Sequence, residues 1–337
     1  GSPKGHYYSP EANFVVPLNY ELTFTDETEE DVDSRLWQFP GTDTPTSTEK
    51  SPKVKYIKAG QYDVDLSVTN SAGTSATYVH GINAGLKSLI WNIPASENES
   101  LAIVNLANFG YYGGSNWLDI PAFAEHFDAP VAPITIEEVN VYFGAATISK
   151  KSEDTQITVS ICLPDANGLP GEVVASGSLP CNELIDASQT VNDPTTFFLN
   201  NDAEINSEFF VVIGDFPHNT GDEIAMFCSP RRHDVSQSTV YHQLIDYDEN
   251  YQPLDTRTWV KNTDEFLSFA IAPLISFKKE NSGIITPSED TLPDSSAISP
   301  DAPASYYTIS GQLLPARPSI PGLYILRQGN RAAKIRI

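Results

Sequence analysis

Apolar side chains in this chain recur at every second position in short runs, and turn-forming residues end each run before it grows long. Tyr20, Leu22 and Phe24 alternate with polar neighbours, as do Trp37 and Phe39, and then Tyr62, Val64, Leu66 and Val68. A period of two places alternate side chains on one face, the pattern of a half-buried strand; a helix would repeat every three to four residues. The 25 prolines and 20 glycines supply turns, and no long Ala/Leu/Glu/Lys run offers a helix. An all-β chain is expected.

At 337 residues the chain is too long for one compact core, so two or three domains are expected. With 40% hydrophobic and 10% aromatic residues it can fill those cores. Lys and Arg number 20 against 44 Asp and Glu, a formal charge of −24, and no basic stripe is present. A polyanion would be repelled, so no nucleic-acid partner is expected. The longest apolar stretch, 266–277, is too short to span a bilayer and contains Pro273, so no transmembrane segment is expected.

The first strand-rich region carries ordered motifs: Phe24-x-Asp26-x-Thr28, then Leu36-Trp37-Gln38-Phe39-Pro40-Gly41, Pro52 and Tyr56, and finally Gly60-x-Tyr62-x-Val64-x-Leu66-x-Val68-x-Asn70 with Gly73. This series resembles a PKD domain. The family's usual Phe-Gly-Asp-Gly turn is replaced by Phe39-Pro40-Gly41-Thr42, similar to a variant of secreted bacterial proteins. The resemblance implies a small Ig-like β-sandwich over 16–80, after an extension at 1–15, working as a spacer or interaction module. Within it Trp37 and Phe39 share a face, and Tyr62, Val64, Leu66 and Val68 are expected to oppose them.

The region 81–277 reads as a larger sandwich of jelly-roll type, with strands expected at 101–106, 134–143, 155–163, 172–176, 195–199, 208–213, 223–227, 240–245 and 267–271. Phe209 to Ile213 is apolar on both faces, as in a strand buried on both sides. Asn167-Gly168 marks a tight turn, and one short helix is expected near 121–127. No family is assigned to this region. Cys162, Cys181 and Cys228 have no metal-ligand spacing and are expected to be free and buried, with a Cys162–Cys181 bridge that leaves the third thiol over as the alternative.

From 278 to 305 aromatic residues are absent while Ser, Pro and acidic residues accumulate, which reads as a linker. The remainder, 306–337, has five basic residues and no acidic one. Its segments Tyr307-Thr308-Ile309-Ser310-Gly311-Gln312, Gly322-Leu323-Tyr324-Ile325 and Lys334-Ile335-Arg336-Ile337 resemble the end of a type IX secretion sorting domain, with Ser299-Pro300-Asp301-Ala302-Pro303 in place of the usual Pro-Asn-Pro opening. That resemblance implies a short β tail and a secreted or cell-surface protein, with surface attachment through the tail.

Catalytic signatures are few. His-Glu-x-x-His, Gly-x-Ser-x-Gly and P-loop patterns are absent from the sequence. Cys228 with His233 or His242 would make a thiol–imidazole pair, but Cys228 follows an apolar strand and reads as structural. Asp119 and Glu125 are the carboxylates that an enzyme acting on glycan or peptide would use as acid and base. Asp246, Asp248 and Asn250 set oxygens at alternate positions, a weak calcium pattern, since Tyr251 and Arg257 stand where a helix-loop motif needs Gly and Glu. The acidic cluster Asp26, Glu27, Glu29, Glu30, Asp31 and Asp33 reads as a solvated loop, and Arg231-Arg232-His233 as surface charge or an anion fork.

The loop 108–117 interleaves glycines with Tyr111, Tyr112 and Trp117. Glycine lets the backbone bend while the rings offer flat faces with polar edges, which suits stacking on sugars or anchoring a protein. The rival use of such rings is to seal a core. The expected function is non-catalytic binding of extracellular carbohydrate or protein through Tyr111, Tyr112 and Trp117, with no cofactor other than calcium. A secreted hydrolase and a pure spacer are the alternatives.

Overall fold

The computed structural model describes residues 7–8, 15–93, 97, 100–188, 193–218, 221–229, 238–263 and 267–277, and, toward the C-terminus, 304–308, 313–314, 316, 323–328 and 331–336. The chain divides into two compact units, Gly1–Lys278 and Lys279–Ile337. It is all-β. Among the described residues the helical turns are short 3-10 segments such as Ala107–Phe109 and Cys181–Glu183.

The first domain contains β1 (Tyr7–Tyr8), β2 (Val15–Val16), β3 (Leu22–Thr23), β4 (Thr25–Asp26), β5 (Ser34–Gln38), β6 (Thr46–Ser47), β7 (Lys53–Val54), β8 (Gly60–Asn70) and β9 (Gly73–Ala84). One sheet runs β2-β9-β8-β5-β6; β3 pairs with β7 and β1 with β4. Trp37 and Leu66 are cross-strand partners in the same sheet. Val64, Leu66 and Val68 therefore stand beside Trp37 instead of opposing it, because β5 and β8 pair edge to edge. Leu22, Phe24, Val54 and Tyr56 complete that core from outside this sheet. Phe24 lies 5.1 Å from Phe39, centroid to centroid, and Trp37 stacks on Phe39 at 5.4 Å.

The acidic loop of this domain is not uniformly solvated. Asp26 is buried, its Oδ2 2.8 Å from Arg35 Nε, while Thr28 donates its backbone N–H and hydroxyl to Oδ1. Burial alone would raise the Asp26 pKa. The hydrogen bonds from Thr28 and Arg35, helped by the guanidinium charge, outweigh it and hold the carboxyl below its ordinary value.

β2 joins the domains. It pairs in parallel with the end of β9, Val15 opposite Asn83 and Val16 opposite Ala84. Side chains alternate, so Val16 enters the first core while Val15 belongs to the core of the next domain.

The middle domain contains β10 (Ser88–Leu89), β11 (Val104–Asn105), β12 (Tyr111–Tyr112), β13 (Ala122–Phe127), β14 (Ile134–Val141), β15 (Phe143–Thr147), β16 (Gln156–Pro164), β17 (Pro170–Pro180), β18 (Thr195–Ile205), β19 (Phe209–Gly214), β20 (Glu223–Met226), β21 (Val240–Tyr247), β22 (Pro253–Lys261) and β23 (Ile271–Phe277). Two antiparallel sheets, β10-β23-β14-β18 and β17-β16-β19-β13-β21-β22, enclose one core in a jelly-roll-like sandwich. Val139, Phe197 and Ile271 face it from the smaller sheet, and Phe123, Ile161 and Val211 from the larger. Phe210, on the other side of β19, is also fully buried, in a smaller cluster with Ala124 and Cys162.

Two expectations are corrected here. The segment expected as a helix is β13, which sits between β19 and β21 in the larger sheet. Alternation sends Phe123 and Phe127 into the core, and pairing on both edges overrides the helix preference of Ala and Glu. The last strand begins at Ile271, beyond the expected 267–271; Phe269 makes an isolated bridge to Cys228 before it. The Asn167-Gly168 turn is present: Asp165 Oδ1 accepts the N–H groups of Asn167 and Leu169 between β16 and β17. All three cysteines are buried and free. Burial pushes the thiols of Cys162 and Cys181 up to about 11.

The second unit contains β24 (Ala304–Thr308), β25 (Leu313–Leu314), β26 (Leu323–Gln328) and β27 (Arg331–Arg336), an antiparallel sheet in the order β25-β24-β26-β27. Most of the 278–305 linker, and Arg231, Arg232 and His233, lie outside the described residues.

Candidate functional site

The aromatic loop is shaped by one buried amide. Asn116, 1% exposed, donates through Nδ2 to the carbonyls of Gly114 (3.1 Å) and Ile120 (3.0 Å). Its Oδ1 accepts the N–H groups of Leu118 and Ile120, each at 3.1 Å. An asparagine offers both donors and acceptor in one plane, so this side chain closes the loop upon itself and forces 117–119 outward. Two glycines make the closure possible. Gly110 adopts φ +88°, and a Cβ there would lie 2.4 Å from the Ser115 carbonyl. At Gly114 a Cβ would lie 1.8 Å from the carbonyl of Ile224, so only glycine lets the loop press against β20.

Trp117 emerges 54% exposed, flanked by exposed Phe109 and Leu118. His218 Nδ1 donates to the Asn116 carbonyl at 2.7 Å, and its ring centroid lies 6.4 Å from that of Trp117. Asp119, at φ +55°, accepts a hydrogen bond from the hydroxyl of Tyr247 at the end of β21. That bond raises the pKa of Tyr247.

The three aromatic residues singled out from sequence have different fates. Trp117 offers its ring to solvent. Tyr111 is half-buried; burial, and then the charge of Glu223, raises its pKa. Tyr112 is a core residue: its ring stacks on Phe269, meets Phe123 edge-on at 5.0 Å, and its hydroxyl pairs with His242 Nδ1 at 2.9 Å. Phe109 and Leu118 belong to the same loop or adjoin it, whereas exposed Tyr247 and His218 are the surface neighbours that sequence reading missed: they arrive from β21 and from the segment after β19, and no local spacing announces their meeting.

Asp119 and Glu125 sit in contrasting settings. Asp119 is on the exposed loop, whereas Glu125 is 0% exposed on β13. Its carboxylate accepts Asn92 Nδ2 at 2.7 Å, the backbone N–H of Phe269 at 2.8 Å and the hydroxyl of Thr239. It ties β13 to the segment after β10 and to those leading into β21 and β23. In the hairpin between β21 and β22, Asp248 Oδ1 accepts the N–H groups of Asn250 and Gln252, both at 2.8 Å, and so shapes the turn. Asp246 accepts the hydroxyl of Thr258, and hydrogen bonds from Thr258 and then Thr256 lower its pKa. Among the described residues no group of three or more His, Cys, Asp or Glu side chains is placed to hold a metal ion, and no helix is long and apolar enough to cross a membrane.

Residues 7–81 match the PKD domain family. The match begins earlier than the 16–80 read from the motifs, and it takes in β1, which pairs with β4. No curated sequence matches the chain. Among solved structures, the chain is similar to one reported for the carbohydrate-binding modules from the β-sandwich superfamily and their promiscuous specificity, at 13% identity and a TM-score of 0.24, over 66% of this chain and 98% of that one. So slight a likeness does not bear on what this chain binds.

Proposed function

We propose that this chain is a non-catalytic extracellular binding protein. Its middle domain presents an aromatic surface to carbohydrate or protein, with the PKD domain as spacer. The observation that carries this reading is the way Asn116, with Gly110 and Gly114, holds Trp117 out in solvent while Tyr112 of the same loop enters the core. A large apolar side chain held exposed to water at such structural cost has a use in recognition. Trp117 is the central contact, Tyr111 borders it, and Tyr112 supports the loop from beneath.

PKD domains are typically extracellular, which supports a secreted or cell-surface location for this chain. The C-terminal segment 306–337, with its sheet and its five basic residues, is read as a sorting module of the type IX kind, which carries the protein across an outer membrane. Deleting 304–337 should then leave the protein inside the cell envelope, and unchanged export would remove that assignment.

The test of the binding role is a screen of the full chain and of Trp117→Ala against immobilised glycans and extracellular matrix proteins. Binding by the native chain and its loss in a variant with unaltered Tm is the expected result. A ligand held equally by both proteins, or none in either class, would overturn the reading. Chelation of calcium is expected to leave binding unchanged, because Asp246 and Asp248 already spend carboxylate oxygens on Thr258 and on the turn.

A further inference from the structure

The outer face of the larger sheet carries a feature separate from the Trp117 loop. β22 is its edge strand, and regular alternation from 257 to 261 places Arg257, Trp259 and Lys261 on one side. Trp259 identifies that side. It is half-buried and packs against the outer cluster of Ala124, Cys162 and Phe210. Arg257 and Lys261 are exposed two residues to either side of the indole, about 13 Å apart along the strand; Arg257 Nη1 donates to the carbonyls of Leu254 (2.7 Å) and Thr256 (2.9 Å), which leaves its other guanidinium N–H groups to face a ligand. The nearest acid in the strand, Asp255, lies beyond Arg257 toward the turn.

In front of Trp259 the sheet is low. Gln243 is its cross-strand partner, and the same rank continues through Ala122, Gly214, Thr158 and Ser178 in the strands beyond. Thr158 and Ser178 share a hydroxyl hydrogen bond at 3.0 Å, which confirms that they share a face. The rank crosses six strands, about 24 Å. It ends in an indole bracketed by two cations and is floored by small residues, hydroxyls and an amide, with no carboxylate along it. The acids nearest this rank are Asp255, beside Arg257, and Glu208, whose charge acts on Tyr241 opposite Lys261.

We propose that this face binds an anionic polysaccharide laid across the strands. A sugar ring stacks on Trp259, Arg257 and Lys261 hold its carboxylate or sulfate groups, and Gln243, Thr158 and Ser178 hydrogen-bond hydroxyls further along. A rank of this length, with small buried Ala122 and Gly214 at its middle, suits an extended polymer. Guanidinium and ammonium groups beside an indole suit a ligand with both an apolar ring face and negative charge. This site is independent of the Trp117 surface and stands or falls apart from it.

Calorimetric titration of the full chain with polygalacturonate, dextran sulfate and neutral dextran tests it. Binding to one or both acidic polymers, but not to dextran, is expected; the two acidic arms separate carboxylate from sulfate recognition. Trp259→Ala should raise Kd at least tenfold, and the Arg257→Gln/Lys261→Gln pair, which leaves the packed indole intact, should do the same. Affinity of the native chain should fall as salt rises, since the attraction is local while the overall charge repels. No binding to either acidic polymer, equal binding to neutral dextran, binding that survives in the Arg257/Lys261 double variant, or loss of binding in Trp117→Ala would overturn the proposal.

Discussion

The hydroxyl of Tyr247 donates to Asp119 Oδ2 at 3.1 Å, tying the hairpin of the larger sheet to the loop that displays Trp117. A negative charge at the acceptor makes the phenol harder to ionise. In Asp119→Asn the Tyr247 phenol should titrate at lower pH than in the native chain, followed by tyrosinate absorbance against a Tyr247→Phe reference. An unchanged titration would mean that the two side chains do not meet in solution.

The Asp26–Arg35 pair sets an acid limit on the first domain. Its carboxyl is held below 3.8 in the folded state, so folding favours the ionised form. The stabilisation is present above the unfolded value and is lost as pH falls through the lower folded value. Urea unfolding between pH 7 and pH 2 should show the first domain weakening below about pH 4. Arg35→Met should cost about 2 kcal/mol at pH 7, and less at pH 2.

Glu125 gathers donors from three separate segments of the middle domain. Glu125→Ala strands the Phe269 N–H and takes one partner each from the Asn92 amide, which keeps the His126 carbonyl, and the Thr239 hydroxyl, which keeps Ser268; it should cost about 3 kcal/mol in the middle-domain unfolding transition. Glu125→Gln keeps shape and part of the bonding, and should cost less. A neutral Glu125→Ala would mean that water replaces the carboxylate without loss.

The buried thiols should be inert. With Cys162 and Cys181 pushed up to about 11 by burial, a thiol reagent at pH 8 should label the native chain far more slowly than the chain in urea. Rapid labelling of either in the native state would place it at the surface.

What could be read in advance follows from where the signal resides. The first domain was legible because its motifs are local: Trp37, Phe39 and the Tyr62 to Val68 alternation mark strands without knowledge of their partners. Which layer faced which was not legible, because pairing between β5 and β8 is a long-range fact. β13 was read as a helix because Ala and Glu favour helices, while the strands on both its edges lie far away in sequence. β22 went unread because it is exposed on both faces and shows no apolar alternation. In the candidate site, Trp117 was legible from glycine-bracketed rings. Tyr112 could not be told from it, since only packing against Phe123 and Phe269 sends one ring inward. Glu125 looked like any acid until its donors arrived from three distant segments.

The paired valines of β2 bear on how the protein can be dissected. A cut at residue 81, where the family match ends, would discard Val15, a residue of the neighbouring hydrophobic interior, along with the partner strand of Asn83 and Ala84. The excised middle fragment would begin life with a notch in its wall, so weak binding by such a fragment would report on damage at the hinge before it reported on the ligand surface.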